Sequence, residues 1–201
     1  MGLKNKISPN GIYYLTTTVV EWVDVFTRPV YRDIIVEALK YCQKEKGLVL
    51  YSWCLMSNHL HWIASAANYL TFNYYNLMSN HLHWIASAAD GFNLSDIIRD
   101  FKKYTSKKIV SEIESNQQES RKKWMLEIFK NAIKENPKNK FWQDSNEAKE
   151  LISNNFIDQK INYIHNNPIV AEIVKRPEDY IYSSASNYAD EGGLLDVVVI
   201  K

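Results

Sequence analysis

The thirteen-residue stretch Leu55 to Ala67 returns letter for letter at Leu77 to Ala89. Each copy reads Leu-Met-Ser-Asn-His-Leu-His-Trp-Ile-Ala-Ser-Ala-Ala and carries a His-x-His triplet: His59 with His61, then His81 with His83. Four of the five histidines of the chain lie in these two triplets. Any fold adopted by the chain must house this stretch twice. Residues i and i+2 of a β-strand point to one face, so each triplet offers two imidazoles side by side. Neutral imidazole is a common ligand of divalent ions. The same triplet on an apolar strand also serves as plain structure, and two imidazoles do not complete a coordination shell. A third ligand and a reacting group have to come from elsewhere.

The similarity extends upstream of the identical part. Leu48 to Cys54 lines up with Leu70 to Asn76, at an offset of 22 residues (81 minus 59). One hairpin has been duplicated in tandem, and two units are too few for a solenoid. Asn73 and Asn76 stand where the first copy has Tyr51 and Cys54. Asn is disfavoured in strands, so the first hairpin is the better sheet member and residues 68–89 form the added one. Which histidine pair is functional stays open at this point.

The remainder reads as one domain over residues 1–201. Gly11 to Trp22, rich in β-branched and aromatic residues, predicts a first strand. Thr27 as cap and Pro29 in the first turn open a helix; apolar residues at three-and-four spacing carry it to Lys46, and Gly47 ends it. Leu48 to Met56 and His59 to Ala67 are strands joined at Ser57-Asn58. Strand, helix and hairpin together make half of a split β-α-β unit. Asn93 caps a helix with Leu94, Ile97, Ile98, Phe101, Thr105 and Ile109 inward, running to about Ser115. Residues 116–140 are a helical and loop insertion, with Trp124, Ile128, Phe129 and Ala132 inward. Phe156 to Asn166 is a late helix stopped by Pro168, and Leu194 to Ile200 a terminal strand.

Charge narrows the function classes only locally. A net charge of +1 gives no overall pull towards nucleic acid. Between Ile98 and Lys140, however, twelve Lys and Arg face six Asp and Glu. Arg99, Lys102, Lys103, Lys107 and Lys108 are its first helix's candidates for phosphate contact, against the alternative of a solvated helix face. Cys42 and Cys54 sit in apolar surroundings and read as reduced thiols of a cytoplasmic protein. No apolar run is long enough to span a bilayer, and no signal peptide is apparent, so no membrane partner is expected.

Imidazoles, a tyrosine and a basic surface fit phosphoryl transfer: a phenol attacks a phosphodiester, and an ion offsets charge on the phosphate. Phosphate oxygen in a mixed N/O shell suits Mg²⁺ or Mn²⁺ better than Zn²⁺. Composition does not choose among 13 tyrosines. Tyr104 lies among lysines, which lower a phenol's pKa, but packs equally well beside Phe101.

The segments Cys54-Leu-Met-Ser-Asn-His-Leu-His61 and Asn162-Tyr-Ile-His-Asn-Asn-Pro168, followed by Pro177-Glu-Asp-Tyr and Ser183-Ser184, resemble the REP-associated tyrosine transposases. These are relatives of the insertion-sequence transposases with a single tyrosine and a His-x-His motif, in the HUH endonuclease superfamily. The resemblance runs from about Gly11 to Ser184, apart from the extra hairpin. It implies an α+β fold: a ferredoxin-like antiparallel sheet with helices packed on one face, plus the extra β-hairpin and a C-terminal helical extension. It implies Tyr163 as the nucleophile, Asn167 as a third metal ligand beside His59 and His61 (or His81 and His83), and Mg²⁺ or Mn²⁺ as cofactor. The implied substrate is single-stranded or hairpin DNA, cleaved and joined through a 5′-phosphotyrosine by a monomer or homodimer. The duplication leaves a second reading, a catalytically inactive protein that binds DNA hairpins. Tyr163 and Asn167, four apart, share a helical face, and a helix stop at Pro168 leaves Asn167 free to reach an ion. His165, two residues after Tyr163, points about 160° away from it round the helix and receives no role.

Overall fold

The computed structural model describes residues 11–66, 93–132 and 140–200, together with Ile7. The second histidine pair, His81 and His83, and the added hairpin 68–89 lie outside the described residues, as do residues 133–139.

Two tyrosines, a leucine and three β-branched threonines build the first strand, β1, over Tyr13–Thr18. It is shorter than the sequence implies, because the chain turns into a single 3₁₀ turn at Val20–Trp22. Helix α1 spans Pro29–Lys46, with Pro29 in its first turn and Gly47 in the left-handed conformation (φ 66°) closing its end. Arg28, not Thr27, occupies the cap position, and no side chain caps this end. Strands β2 (Leu48–Leu55) and β3 (His59–Ala66) form the expected hairpin.

Helix α2 runs Leu94–Ser115, and its Asn93 cap accepts from the Ser95 N–H at 2.8 Å. All six expected inward residues are buried. Helix α3 covers Lys122–Asn131 and buries Met125 and Phe129, while Trp124 faces solvent. The inward stripe is therefore set one residue from where its first aromatic pointed. A two-residue strand β4 (Lys149–Glu150) pairs with β1. Helix α4 spans Asn154–Val170, capped by Ser153, and continues through Pro168 instead of stopping there. A proline near a helix end removes one backbone hydrogen bond, and the Ala171 N–H still reaches the Asn167 carbonyl. Residues 194–200 form no strand. They track β2 through single bonds, such as the Val198 N–H to the Leu50 carbonyl at 2.8 Å.

The sheet order is β2-β3-β1-β4, antiparallel throughout. That is the order of a ferredoxin-like sheet: β3 returns between β2 and β1 after the α1 crossover. Trp62 and His61 are neighbours on β3 and so face opposite sides. Trp62 meets Phe101 of α2 at 5.7 Å between ring centroids, and α1 packs on α2. These two helices share one face, as expected. His61 meets Tyr163 of α4, so the late helix covers the other face. The edge of β2 is closed by the chain around Ser183: Leu55 N–H bonds the Tyr182 carbonyl and Ser184 N–H bonds the Trp53 carbonyl, each at 2.9 Å. A covered edge cannot template pairing with another chain.

A buried carboxylate fixes the α2–α3 corner to the start of α1. Glu119 pairs with Arg28 at 2.8 Å and Arg121 at 2.9 Å and accepts from the Tyr31 hydroxyl at 3.2 Å. The Arg121 hydrogen bonds outweigh burial and hold its pKa down at about 2. An unfolded Glu titrates near about 4.3, so this contribution is whole above that pH and is lost as pH falls towards 2. Glu119→Gln is expected to cost about 2 kcal/mol at neutral pH and to flatten the fall in melting temperature between those limits. Scanning calorimetry across that range checks it; an unchanged slope in the variant contradicts it.

Candidate functional site

His59 and His61 open β3, and the alternation of the strand turns both to the α4 face. Their Nε2 atoms stand 3.0 Å apart. Each ring is held from behind through Nδ1. The Asn58 carboxamide oxygen lies 2.7 Å from His59 Nδ1, while its NH₂ donates to the Asp24 carboxylate at 2.9 Å and the Trp22 carbonyl at 3.2 Å. An oxygen acceptor there puts the proton on His59 Nδ1 and a lone pair on Nε2. Behind His61 Nδ1 stand Thr16 Oγ1 at 3.1 Å and Tyr14 Oη at 3.0 Å, and Thr16 donates to Tyr14 at 3.3 Å. Thr16 is directly opposite His61 in the β1–β3 register.

Burial first, then the charges of His59 and Lys160, hold the His61 pKa down at about 3. Burial also lowers that of His59, with Asp24 opposing it. Both rings are therefore neutral near pH 7. Burial raises the Tyr14 phenol to about 12, so it stays protonated.

Two lone pairs 3.0 Å apart repel. Either His61 donates from Nε2 to His59, or a cation takes both lone pairs and the His61 proton moves to Nδ1, where Thr16 accepts it. The two converging Nε2 atoms could serve as a pair of imidazole ligands to one divalent cation, with the remaining ligands coming from elsewhere. A closed tetrahedral zinc site needs four protein ligands, and among the described residues no group of three or more His, Cys, Asp and Glu converges to supply them.

Tyr163 comes from α4 to this pair. Its ring centroid is 5.4 Å from that of His61 and 6.3 Å from that of Tyr14, and 49% of the residue is exposed. One turn earlier Lys160 sets its ammonium 5.3 Å from the Tyr163 ring centroid and 4.8 Å from that of Tyr14. Asn167 lies one turn after Tyr163, inside the helix, and its amide donates to the Tyr163 carbonyl at 2.9 Å. The proline therefore does not release Asn167 from the helical turn.

Helix α4 is pinned by its buried side. Ile157, Ile161 and Ile164 enter the core. His165, which sequence reasoning left without a role, sits between the Ser52 hydroxyl at 3.1 Å and the Ser184 hydroxyl at 2.8 Å. Burial lowers its pKa to about 4, so it is a neutral bridge from α4 to β2. Tyr14, Thr16 and Lys160 were also missed. The signal for the first two was present: they alternate on β1 as the histidines do on β3.

The basic residues of α2 lie across the sheet from the imidazoles. Arg99 pairs with Asp96 and Asp100 of its own helix. Lys102 gives its ammonium to the Gln143 carbonyl at 2.6 Å and the Asn146 side chain at 2.9 Å, and burial lowers its pKa to about 8. Lys103, Lys107 and Lys108 are exposed. Tyr104 is exposed on the same helix, away from the histidines.

Sequence comparison finds no match among curated proteins. Residues 65–125 match the family described as Transposase IS200 like. That stretch contains His81 and His83 and begins downstream of His59 and His61. Among solved structures, a REP-associated tyrosine transposase bound to a REP hairpin aligns over 100% of this chain and 97% of its own, with a TM-score of 0.62 at 12% identity. The chain thus shares its fold with a REP-associated tyrosine transposase and is similar to the IS200-like transposase family over residues 65–125.

Proposed function

We propose that the chain is a metal-dependent DNA endonuclease and strand transferase of the IS200-like transposase kind, acting on single-stranded or hairpin DNA. One observation carries the reading: an exposed phenol, Tyr163, stands beside two imidazoles whose Nε2 atoms converge. Lys160 supports it. Two neutral imidazoles with the Lys160 ammonium close by, and no carboxylate among the described residues hydrogen-bonded directly to either imidazole, favour an anionic substrate group. The solved hairpin complex of the structurally similar transposase points to the same class of DNA.

In this reading Tyr163 Oη attacks the scissile phosphorus. The new P–O bond to tyrosine forms as the bond to the 3′ oxygen breaks. The phenolic proton passes to solvent, and the departing oxygen is protonated to a 3′-OH. The strand is left as a 5′-phosphotyrosine, and attack by a 3′-OH reverses the step and joins strands. Lys160, whose ammonium is 5.3 Å from the Tyr163 ring centroid, would stabilise the phenolate and the extra phosphate charge. His59 and His61, with Asn167 as the third candidate, would hold Mg²⁺ or Mn²⁺. Such an ion supplies Lewis-acid neutralisation of the phosphate oxygens. Lys103, Lys107 and Lys108 serve the hairpin stem, away from the reacting phosphate.

A second assignment, with His81 and His83 as the live pair, has its own support: the family match spans them. An inactive hairpin-binding protein is the other outcome, motivated by the duplication next to β3.

Incubation with a single-stranded hairpin oligonucleotide and Mn²⁺ is expected to give a covalent protein–DNA adduct, absent in Tyr163→Phe. Adduct in that variant overturns the nucleophile, and binding without any adduct selects the inactive reading. Groups behind ligand imidazoles typically contribute 10–100-fold to metal affinity. Tyr14→Phe combined with Thr16→Val is therefore expected to weaken Mn²⁺ binding about 10–100-fold in a calorimetric titration. Unchanged affinity contradicts the role given to His61 Nδ1.

A further inference from the structure

Trp22 has no part in the core. It is 57% exposed, and its ring stands edge-on to His59, 5.9 Å between centroids. The backbone that presents it is unusual. Glu21 and Trp22 both lie in the left-handed region, at φ 51° and 54°. Bulky residues rarely adopt this conformation, and such conformations persist where the surroundings over-determine them, often at functional sites.

The surroundings do so here. The Val20 N–H bonds the Phe141 carbonyl at 2.9 Å, the Val19 N–H bonds the Asn58 carbonyl at 2.9 Å, and the Trp22 N–H bonds the Val19 carbonyl at 3.2 Å. The Trp22 carbonyl in turn accepts from the Asn58 carboxamide, the group that orients His59. One side chain thus bonds both the His59 imidazole and the Trp22 backbone. An exposed tryptophan, presented by a hydrogen-bonded backbone with two left-handed residues, has a face for something to lie on.

We propose that Trp22 is a stacking platform for an unpaired nucleobase next to the phosphate held at His59 and His61. This rests on the DNA-cleaving reading above and adds to it the group that grips the reacting strand. Aromatic stacking suits single strands because every base has a π-face, and it tolerates sequence. The indole and Tyr163 flank the imidazoles from two sides: Trp22 contacts His59, and Tyr163 contacts His61. A strand crossing the pair would be held by its base at one side and attacked at the other.

The test uses the full chain, in EDTA to prevent turnover, and a fluorescent DNA hairpin with oligothymidylate flanks. Binding is read by anisotropy for probes with one flank thymidine at a time replaced by an abasic residue. One abasic position is expected to weaken binding by the wild-type chain about 10-fold or more, the scale of one lost base stack. Trp22→Ala is expected to lose a similar factor with the intact probe and to become indifferent to that abasic position, the coupling expected of groups in contact. Trp22→Phe should retain most of the affinity and of the position effect. A general structural role would leave the position effect unchanged in Trp22→Ala. That result, or full affinity in Trp22→Ala, overturns the platform while adduct formation through Tyr163 leaves the wider reading standing. A wild-type chain that neither binds the hairpin nor forms adduct overturns both.

Discussion

Two ring nitrogens brought to 3.0 Å on neighbouring same-face positions of β3 are the contact to which the rest of the molecule answers. Strand alternation alone would put the rings on one side, but it would not aim them. The aim comes from behind: Asn58 holds His59, and Thr16 with Tyr14 holds His61. Those partners arrive on two other pieces of the chain, the hairpin turn and β1. The sheet order therefore matters to the chemistry, since β3 must lie between β1 and β2 for Thr16 to stand opposite His61.

The tyrosine is placed by a different set of forces. Helix α4 lays three isoleucines on the sheet and ties itself to β2 through His165 and two serine hydroxyls. A neutral imidazole whose Nε2 meets two serine hydroxyls acts as a fixed spacer in that position. The exposed side of the same helix then carries Lys160 and Tyr163 past the histidines. Packing on one side of α4 and chemistry on the other are two consequences of one helical period. On the opposite face of the sheet, α1 and α2 bury Trp62 and Phe101 and leave exposed lysines outside.

Much of this was legible from residue pattern. The hairpin, α1 and α2 follow from period, capping and glycine placement, each of which is a local property of the chain. The pairing of His-x-His with a late tyrosine was legible only through resemblance, because nothing in the spacing of residues 61 and 163 brings them together. Trp124 and Pro168 were misread for a common reason. Trp124 faces out because Met125 and Phe129 fill the space beneath α3. Helix α4 runs through Pro168 because Pro168 is buried against the fold near the helix end. In both cases tertiary packing overrode local preference. Lys102 is the same lesson in charge: a lysine in a basic run turned inward to meet a carbonyl and an amide.

The identical copies make the choice of histidine pair the point on which the account stands or falls. Pulsed electron paramagnetic resonance of protein-bound Mn²⁺ reads directly attached imidazole nitrogen. The account predicts nitrogen couplings that survive the double change His81→Ala with His83→Ala and vanish with His59→Ala and His61→Ala. Couplings that vanish with the second pair and persist without the first would contradict it.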